Sequence, residues 1–165
     1  MPKVELTAQR LREVLRYEPE SGQMFWLIRA AHRRHPGEEA GSPSKDGRIR
    51  IRIDGQLFYR YRLAWLWMTG KWPDKCVDHI NGDHTDDSWK NLRDVPQAIN
   101  CQNYRKAPKS SSTGLLGAQA LPNGRFESSV KTLYKRRYLG SFDNAQDAHE
   151  AYIAAKRELH PGFTL

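Results

Sequence analysis

An acidic and an imidazole side chain stand next to each other at Asp78 and His79, within Val77-Asp78-His79-Ile80-Asn81-Gly82-Asp83. The run reads as the end of a short strand, with Asn81-Gly82 as the turn that follows. Asn91 comes twelve residues after His79, in Asn91-Leu92-Arg93, and Asn100 comes twenty-one after it, inside a helix for which Pro96 suits the first position. Strand, loop, strand and helix in that order can bring a carboxylate, an imidazole and two amides to one point. The surrounding charge fits a cation there: Asp74 to Asp94 holds six carboxylates and three basic residues, inside a chain whose formal charge is +8.

Each of these residues also has a plainer reading. Asp83, Asp86 and Asp87, taken singly, are solvated carboxylates of an acidic loop. His79 alone would be a buried, hydrogen-bonded histidine, and Asn91 a turn residue satisfying nearby backbone, a role compatible with orienting a neighbour. Asn103 reads as a helix-end or DNA-contact residue. Cys76, His79, His84 and Cys101 can be imagined as a tetrahedral zinc set, but their spacing matches no common zinc pattern and Asp78 would be left without a role.

The elements around this run must position it. Thr7 precedes Leu11, Val14 and Leu15 at helical spacing, which predicts an N-capped amphipathic helix ending before Pro19-Glu20-Ser21-Gly22. A short strand over Met24 to Leu27 should follow. Ala30 to Asp46, rich in Gly, Pro, His and charge, reads as a mobile loop that orders on DNA, with His32-Arg33-Arg34-His35 near phosphate or simply exposed. Ile49, Ile51 and Ile53 alternate with Arg48, Arg50 and Arg52, so one strand face packs while the other is positive. Asp54-Gly55 is a hairpin turn, the return strand runs through Leu57, Tyr59 and Tyr61, and Leu63 to Met68 forms a Trp-rich helix stopped at Gly70. That helix is expected to dock the Asp78 run onto the hairpin.

Composition sets the class of partner. A chain of 165 residues with a 38% hydrophobic fraction and a charge of +8 attracts polyanions, nucleic acid above all, through phosphate contacts and released counterions. No apolar run approaches the roughly 20 residues of a spanning helix, and the N-terminus lacks a signal-peptide pattern, so a soluble protein of a reducing, cytoplasmic compartment is expected. Two cysteines, Cys76 and Cys101, make no disulfide framework.

The segments "VDHINGD", "NLR" and "AINCQN", in that order and spacing, with "RLAWLWMTGKWP" upstream, resemble the HNH nuclease family and its phage homing-endonuclease branch with the ββα-metal fold. The resemblance implies an α+β protein that hydrolyses phosphodiester bonds in DNA, leaving a 5′-phosphate and a 3′-hydroxyl. It assigns His79 as the general base, Asn91 as the residue that orients it, and Asp78 with Asn100 as ligands of one divalent cation. Two oxygen ligands favour a hard ion, Mg²⁺ or Mn²⁺. "HTDDSW" stands where the family more often has a second Asn and an Arg, which leaves the roles of Asp87 and His84 open. Arg48, Arg50, Arg52, Arg93, Arg105 and Lys106 are the expected DNA contacts of this part, residues 1–107, with the ββα motif at about 75–105.

Residues 108–113, within the Pro- and Ser-rich run Lys106 to Thr113, read as a linker. Beyond it, Leu116 to Leu121, Arg125 to Thr132 and Lys135 to Phe142 predict three short strands, with Pro122-Asn123-Gly124 and a tight turn near Leu133-Tyr134 between them. A helix follows, with Asn144 as its N-cap and Ala145, Ala148, Tyr152, Ala155 and Leu159 at helical spacing. "GRFESSVK" and "KRRYLGSFDNAQDAHEAY" followed by "AAKRELH" are similar to the APETALA2/ethylene-response DNA-binding domain, also fused to phage HNH nucleases. Residues 114–165 are therefore expected to be a three-stranded antiparallel sheet on one helix, with Gln119, Arg125, Lys131, Arg136 and Tyr138 meeting double-stranded DNA. Leu116 and Asn123 stand where family members often carry Arg and Trp, so base specificity does not transfer. Eight basic residues and one acid lie between Arg105 and Arg137, which predicts salt-sensitive binding.

Two other functions fit parts of the pattern: a DNA-binding regulator that retains an inactive HNH scaffold, and an RNA-binding accessory protein. One site per chain predicts a nick unless two chains act together, and a monomer or weak dimer without small-molecule cofactor is expected.

Overall fold

The computed structural model describes residues 5–29, 35–132 and 135–164. Contacts divide the chain into two compact units, Met1–Pro96 and Gln97–Leu165. The stretch 108–113, expected as a linker, therefore lies inside the second unit, together with residues 97–107 that the sequence assigned to the first domain.

In the first unit, α1 (Ala8–Val14) begins where the Thr7 hydroxyl accepts a hydrogen bond from the Arg10 amide at 3.1 Å, the N-cap its sequence predicts. Its Leu11 and Val14 face inward, and the chain passes directly into β1 (Leu15–Tyr17), paired antiparallel with β2 (Met24–Trp26). β3 (Ser42–Pro43), β4 (Ile49–Ile53) and β5 (Gln56–Tyr59) form a second sheet in that order. Asp54 and Gly55 both take positive φ, 46° and 81°, the conformation of a two-residue hairpin turn that matches strand twist.

The 30–46 stretch departs from its expectation as a mobile loop. Residues 30–34, with His32, Arg33 and Arg34, lie outside the described residues. From Glu38 onward the backbone is bound on both sides: Trp26 donates to the Glu38 carbonyl at 3.0 Å, Ala40 donates to Met24 at 2.7 Å, and Ser42 and Pro43 pair with β4. Ala40 is 1% exposed. Composition flagged the polar residues here, but one buried alanine and the backbone pairing decide the outcome.

The helix α2 (Arg60–Thr69) starts earlier than its apolar run, so Tyr61 is helical and not part of the return strand. Gly70 ends it in the left-handed conformation, φ 77°, with its amide bonded to Leu66. Leu63, Ala64 and Leu66 sit against α1 and the β4–β5 hairpin, joining Leu11, Leu15, Met24 and Ile51 in one apolar core. Each such side chain contributes about 1.5–3 kcal/mol by burial, which fixes the platform on which the next strands rest. β6 (Cys76–His79) and β7 (Leu92–Val95) form a two-stranded antiparallel ribbon, preceded at β7 by a 3-10 turn over Trp89–Asn91.

The second unit opens with α3 (Gln97–Gln102), immediately after Pro96. β8 (Ala118–Ala120), β9 (Phe126–Lys131) and β10 (Arg136–Phe142) make an antiparallel sheet with β9 central, and β10 carries an irregularity between Tyr138 and Gly140. The turn expected near Leu133-Tyr134 lies outside the described residues. α4 (Ala145–Leu159) is capped reciprocally: Asn144 accepts from the Asp147 amide at 2.8 Å and donates to its carboxylate at 2.9 Å. Ala148 and Ala155 let α4 lie close to the sheet, where Val130 is fully buried.

Candidate active site

Strand geometry sends successive side chains to opposite faces, so Asp78 and His79 leave the β6–β7 ribbon in different directions. Asp78 lies opposite Arg93 in the register and is 5% exposed. Its Oδ2 accepts from both Nε and Nη2 of Arg93, at 2.9 and 2.7 Å.

His79, 7% exposed, packs in a T-shaped arrangement with the Tyr61 ring, with centroids 5.3 Å apart and planes at 74°. Its Nε2 lies 2.8 Å from Oδ1 of Asp87. The plainer reading of Asp87 as a solvated carboxylate is thereby overturned, for Asp87 is 1% exposed. Its other oxygen, Oδ2, accepts from Arg60 Nε at 2.8 Å. Arg60, buried at the start of α2, also reaches Glu39 and the Thr85 carbonyl, each at 3.2 Å. The Tyr17 hydroxyl donates to the Asp87 carbonyl at 2.8 Å, and burial, with Asp87 nearby, raises that phenol well above its ordinary range. A buried cation facing two carboxylates is the arrangement that keeps an ionised aspartate tolerable in the interior.

Asn91 spends its side-chain amide on the loop between the two strands. Oδ1 accepts from the Asn81 amide at 2.8 Å and Nδ2 donates to the Asp86 carbonyl at 2.7 Å. The main chain adds Ile80 N–H to the Asn91 carbonyl at 2.8 Å, so the turn role is the one these bonds express. The remaining acids of the loop are turn formers as well. Asp83 accepts from the amide and hydroxyl of Thr85, which holds its carboxyl below the ordinary range. Burial pushes Asp86 up, but bonds from Ser88 and Asn81 outweigh it and leave that carboxyl lowered. Asp94 accepts from the Asp74 and Lys75 amides at 3.1 and 3.0 Å.

Of the four residues singled out from the sequence, Asp78, His79 and Asn91 fall in the first unit and Asn100 in the second, on α3. The three in the first unit are neighbours that reach different partners: Arg93, Asp87 and the loop backbone. Sequence reasoning missed Arg60 and Tyr17 altogether. The single hint was the departure of "HTDDSW" from the family pattern, which leaves Asp87 and His84 without an assigned role.

The donors fit a hard divalent ion in kind, since Asp78 and Asn100 present oxygens. Among the described residues, no group of three or more His, Cys, Asp or Glu side chains gathers to hold a metal. His84 instead bonds the Asp46 carbonyl through Nε2 at 2.8 Å, and Cys76 and Cys101 are free thiols.

The expected DNA contacts are placed as follows. Arg50 and Arg52 lie with Leu57 and Tyr59 on the β4–β5 face opposite Ile51 and Ile53. Arg48 pairs with Asp46 at 2.6 Å, and Arg52 donates to the Gly55 carbonyl at 2.8 Å. Arg105 bonds the Thr164 carbonyl and hydroxyl, while Lys106 is exposed. Gln119, Lys131, Arg136 and Tyr138 stand on the sheet face away from Ser128 and Val130, all four exposed. Arg125, just before β9, reaches Asp143 and the Ser141 carbonyl. Ser110, Ser111 and Ser112 line a groove with Gln119, Glu127, Ser129 and Arg136. No helix among the described residues is long and apolar enough to cross a membrane.

No curated protein and no solved structure matches the chain. The segment from the end of β5 through α3, residues 58–102, does match a family model, that of the HNH endonucleases, and it carries Asp78, His79, Asn91 and Asn100.

Proposed function

We propose that this chain is a metal-dependent DNA endonuclease of the homing type, nicking or cutting duplex DNA. The observation that carries the reading is the match of residues 58–102 to HNH endonucleases, with Asp78 and His79 adjacent on β6 within it. A bound Mg²⁺ or Mn²⁺ would neutralise the phosphate and the departing 3′ oxygen. Asp78 and Asn100 would hold it as oxygen donors. His79 takes the proton of the attacking water and must be neutral to do so. The products are a 5′-phosphate and a 3′-hydroxyl.

The exposed face of β8, β9 and β10 is read as an APETALA2-like DNA-binding surface that holds duplex through phosphate contacts, supported by Lys131, Arg136 and Tyr138 standing together on it. Arg50 and Arg52 extend the basic surface of the nuclease part. A cytoplasmic setting and action as a monomer or weak dimer belong to the same proposal.

A second reading has its own observation. His79 is 7% exposed and Asp78 is engaged by Arg93, as in a DNA-binding regulator that retains an inactive scaffold. A plasmid relaxation assay with Mg²⁺, repeated with His79→Ala and Asp78→Ala, separates the two. Metal-dependent strand breaks lost in both variants support the endonuclease. Duplex binding with no metal-dependent break in the wild type supports the regulator.

A further inference from the structure

The contact between His79 Nε2 and Asp87 Oδ1, at 2.8 Å, lies between two buried groups. An ionised carboxylate only accepts, so the proton in that contact belongs to Nε2. A neutral imidazole carries one such proton, and its lone pair is then on Nδ1. Asp87 cannot readily turn aside. Its second oxygen faces Arg60 Nε at 2.8 Å, and Arg60 is itself tied to Glu39 and Thr85. The Asp87 main chain is bonded by Tyr17 and lies against Gly22, where an added Cβ would come within 2.4 Å of the Asp87 carbonyl carbon.

We propose that Asp87, clamped by Arg60, is the positioning residue for His79: it fixes the Nε2–H tautomer and thereby makes Nδ1 the nitrogen that accepts a proton. Asn91, to which the family resemblance gives this task, uses its amide to close the loop. The consequence for turnover rests on the reading of His79 as general base, whereas the tautomer is a property of the fold alone.

The discriminating variant is Asp87→Asn. The amide has nearly the size of the carboxylate, but Arg60 Nε requires an acceptor. The amide oxygen must therefore face Arg60, and its NH2 group must face His79. Nε2 becomes the acceptor and the imidazole proton moves to Nδ1. In the double variant Arg60→Met/Asp87→Asn that requirement disappears, the amide can turn over, and the Nε2–H tautomer returns. A residue that only supports the fold gives the opposite pattern, with the double variant worse than the single one.

The measurement is the long-range imidazole ¹⁵N spectrum of the metal-free full-length chain, with the His79 signals identified by their loss in His79→Gln. The expected result is Nε2–H in the wild type, Nδ1–H in Asp87→Asn, and Nε2–H again in the double variant. With Mg²⁺ and duplex DNA, kcat should fall about 10²- to 10⁴-fold in Asp87→Asn, the range a general base supplies, at unchanged KM. It should recover in large part in the double variant. A wild-type Nδ1–H tautomer, or an Asp87→Asn protein that keeps both tautomer and kcat, overturns the inference. Should the wild type cleave no DNA with metal, the endonuclease reading fails, while the three spectra still decide whether Asp87 sets the tautomer.

Discussion

Two hydrogen bonds from Arg93 to Asp78 end on one carboxylate oxygen, Oδ2, at 2.9 and 2.7 Å. The pair is cross-strand neighbours in the β6–β7 register, so the backbone itself delivers the guanidinium to the carboxylate.

Replacing Arg93 by Met removes a charge-assisted pair and leaves Asp78, 5% exposed, with less compensation. The loss should destabilise the metal-free protein by about 1–3 kcal/mol. If Asp78 is a cation ligand, Mn²⁺ should restore stability in Arg93→Met more than it raises that of the wild type, because the ion no longer competes with a guanidinium. Thermal unfolding with and without millimolar Mn²⁺ checks this, and equal Mn²⁺ effects in the two proteins would count against Asp78 as a ligand.

Gly22 prepares the other side of the site. It takes φ 75°, and a Cβ there would lie 2.4 Å from both the Asp87 carbonyl carbon and the Ser88 nitrogen. Those are main-chain atoms and cannot swing away. Gly22→Ala should therefore cost about 2–5 kcal/mol, combining left-handed strain with overpacking. It should also loosen Asp87 from His79. Denaturant unfolding gives the first quantity, and the His79 tautomer spectrum reports the second.

How far the site was legible depended on whether a residue's task is local. Thr7, Gly70 and Asn144 act on amides or turns within a few positions, and their sequence context announced them. The alternation of Ile49, Ile51 and Ile53 with arginines likewise fixed a strand, because its period is that of the pleat. Arg60 and Asp87 meet across 27 positions, and nothing in the neighbourhood of either specifies the other. Asp87 looked like Asp83 and Asp86, yet those two cap their own turn while Asp87 is drawn inward by a buried cation. Within the 30–46 stretch, Glu38 to Pro43 differs from the expected loop for the related reason that pairing with β2 and β4 is a long-range property that composition does not carry.

The second unit contains its own titrating element. Lys156, 1% exposed on α4, donates to the Tyr104 carbonyl and lies 4.2 Å from the Phe163 ring centroid. Burial, with Arg105 nearby, lowers its pKa from 10.5 to about 8. Between those values the unfolded chain binds more protons than the folded one, so stability rises with pH across that window. The gain is at most about 3 kcal/mol for such a displacement. Unfolding of this unit, followed from about pH 7.5 to 9.5, should show a rising midpoint in the wild type and a flat one in Lys156→Met. A wild-type midpoint that falls over the window contradicts the assignment.

On the sheet of this unit, Lys131 and Arg136 are register partners on the exposed face, but they are not equivalent. Arg136 already donates to the Ser129 hydroxyl at 2.7 Å and lies 3.5 Å from Glu127. Lys131 has no carboxylate partner among the described ion pairs. If this face neutralises phosphates, Lys131→Ala should reduce the slope of log affinity against log salt by about 0.9, the release of one counterion. Arg136→Ala should reduce it less, because Glu127 screens that charge before DNA arrives. Glu127→Gln should steepen it, since the guanidinium is then wholly available. Fluorescence anisotropy of a labelled duplex, titrated across a range of NaCl concentrations, distinguishes this ordering from the equal slopes expected if duplex DNA contacts the protein elsewhere.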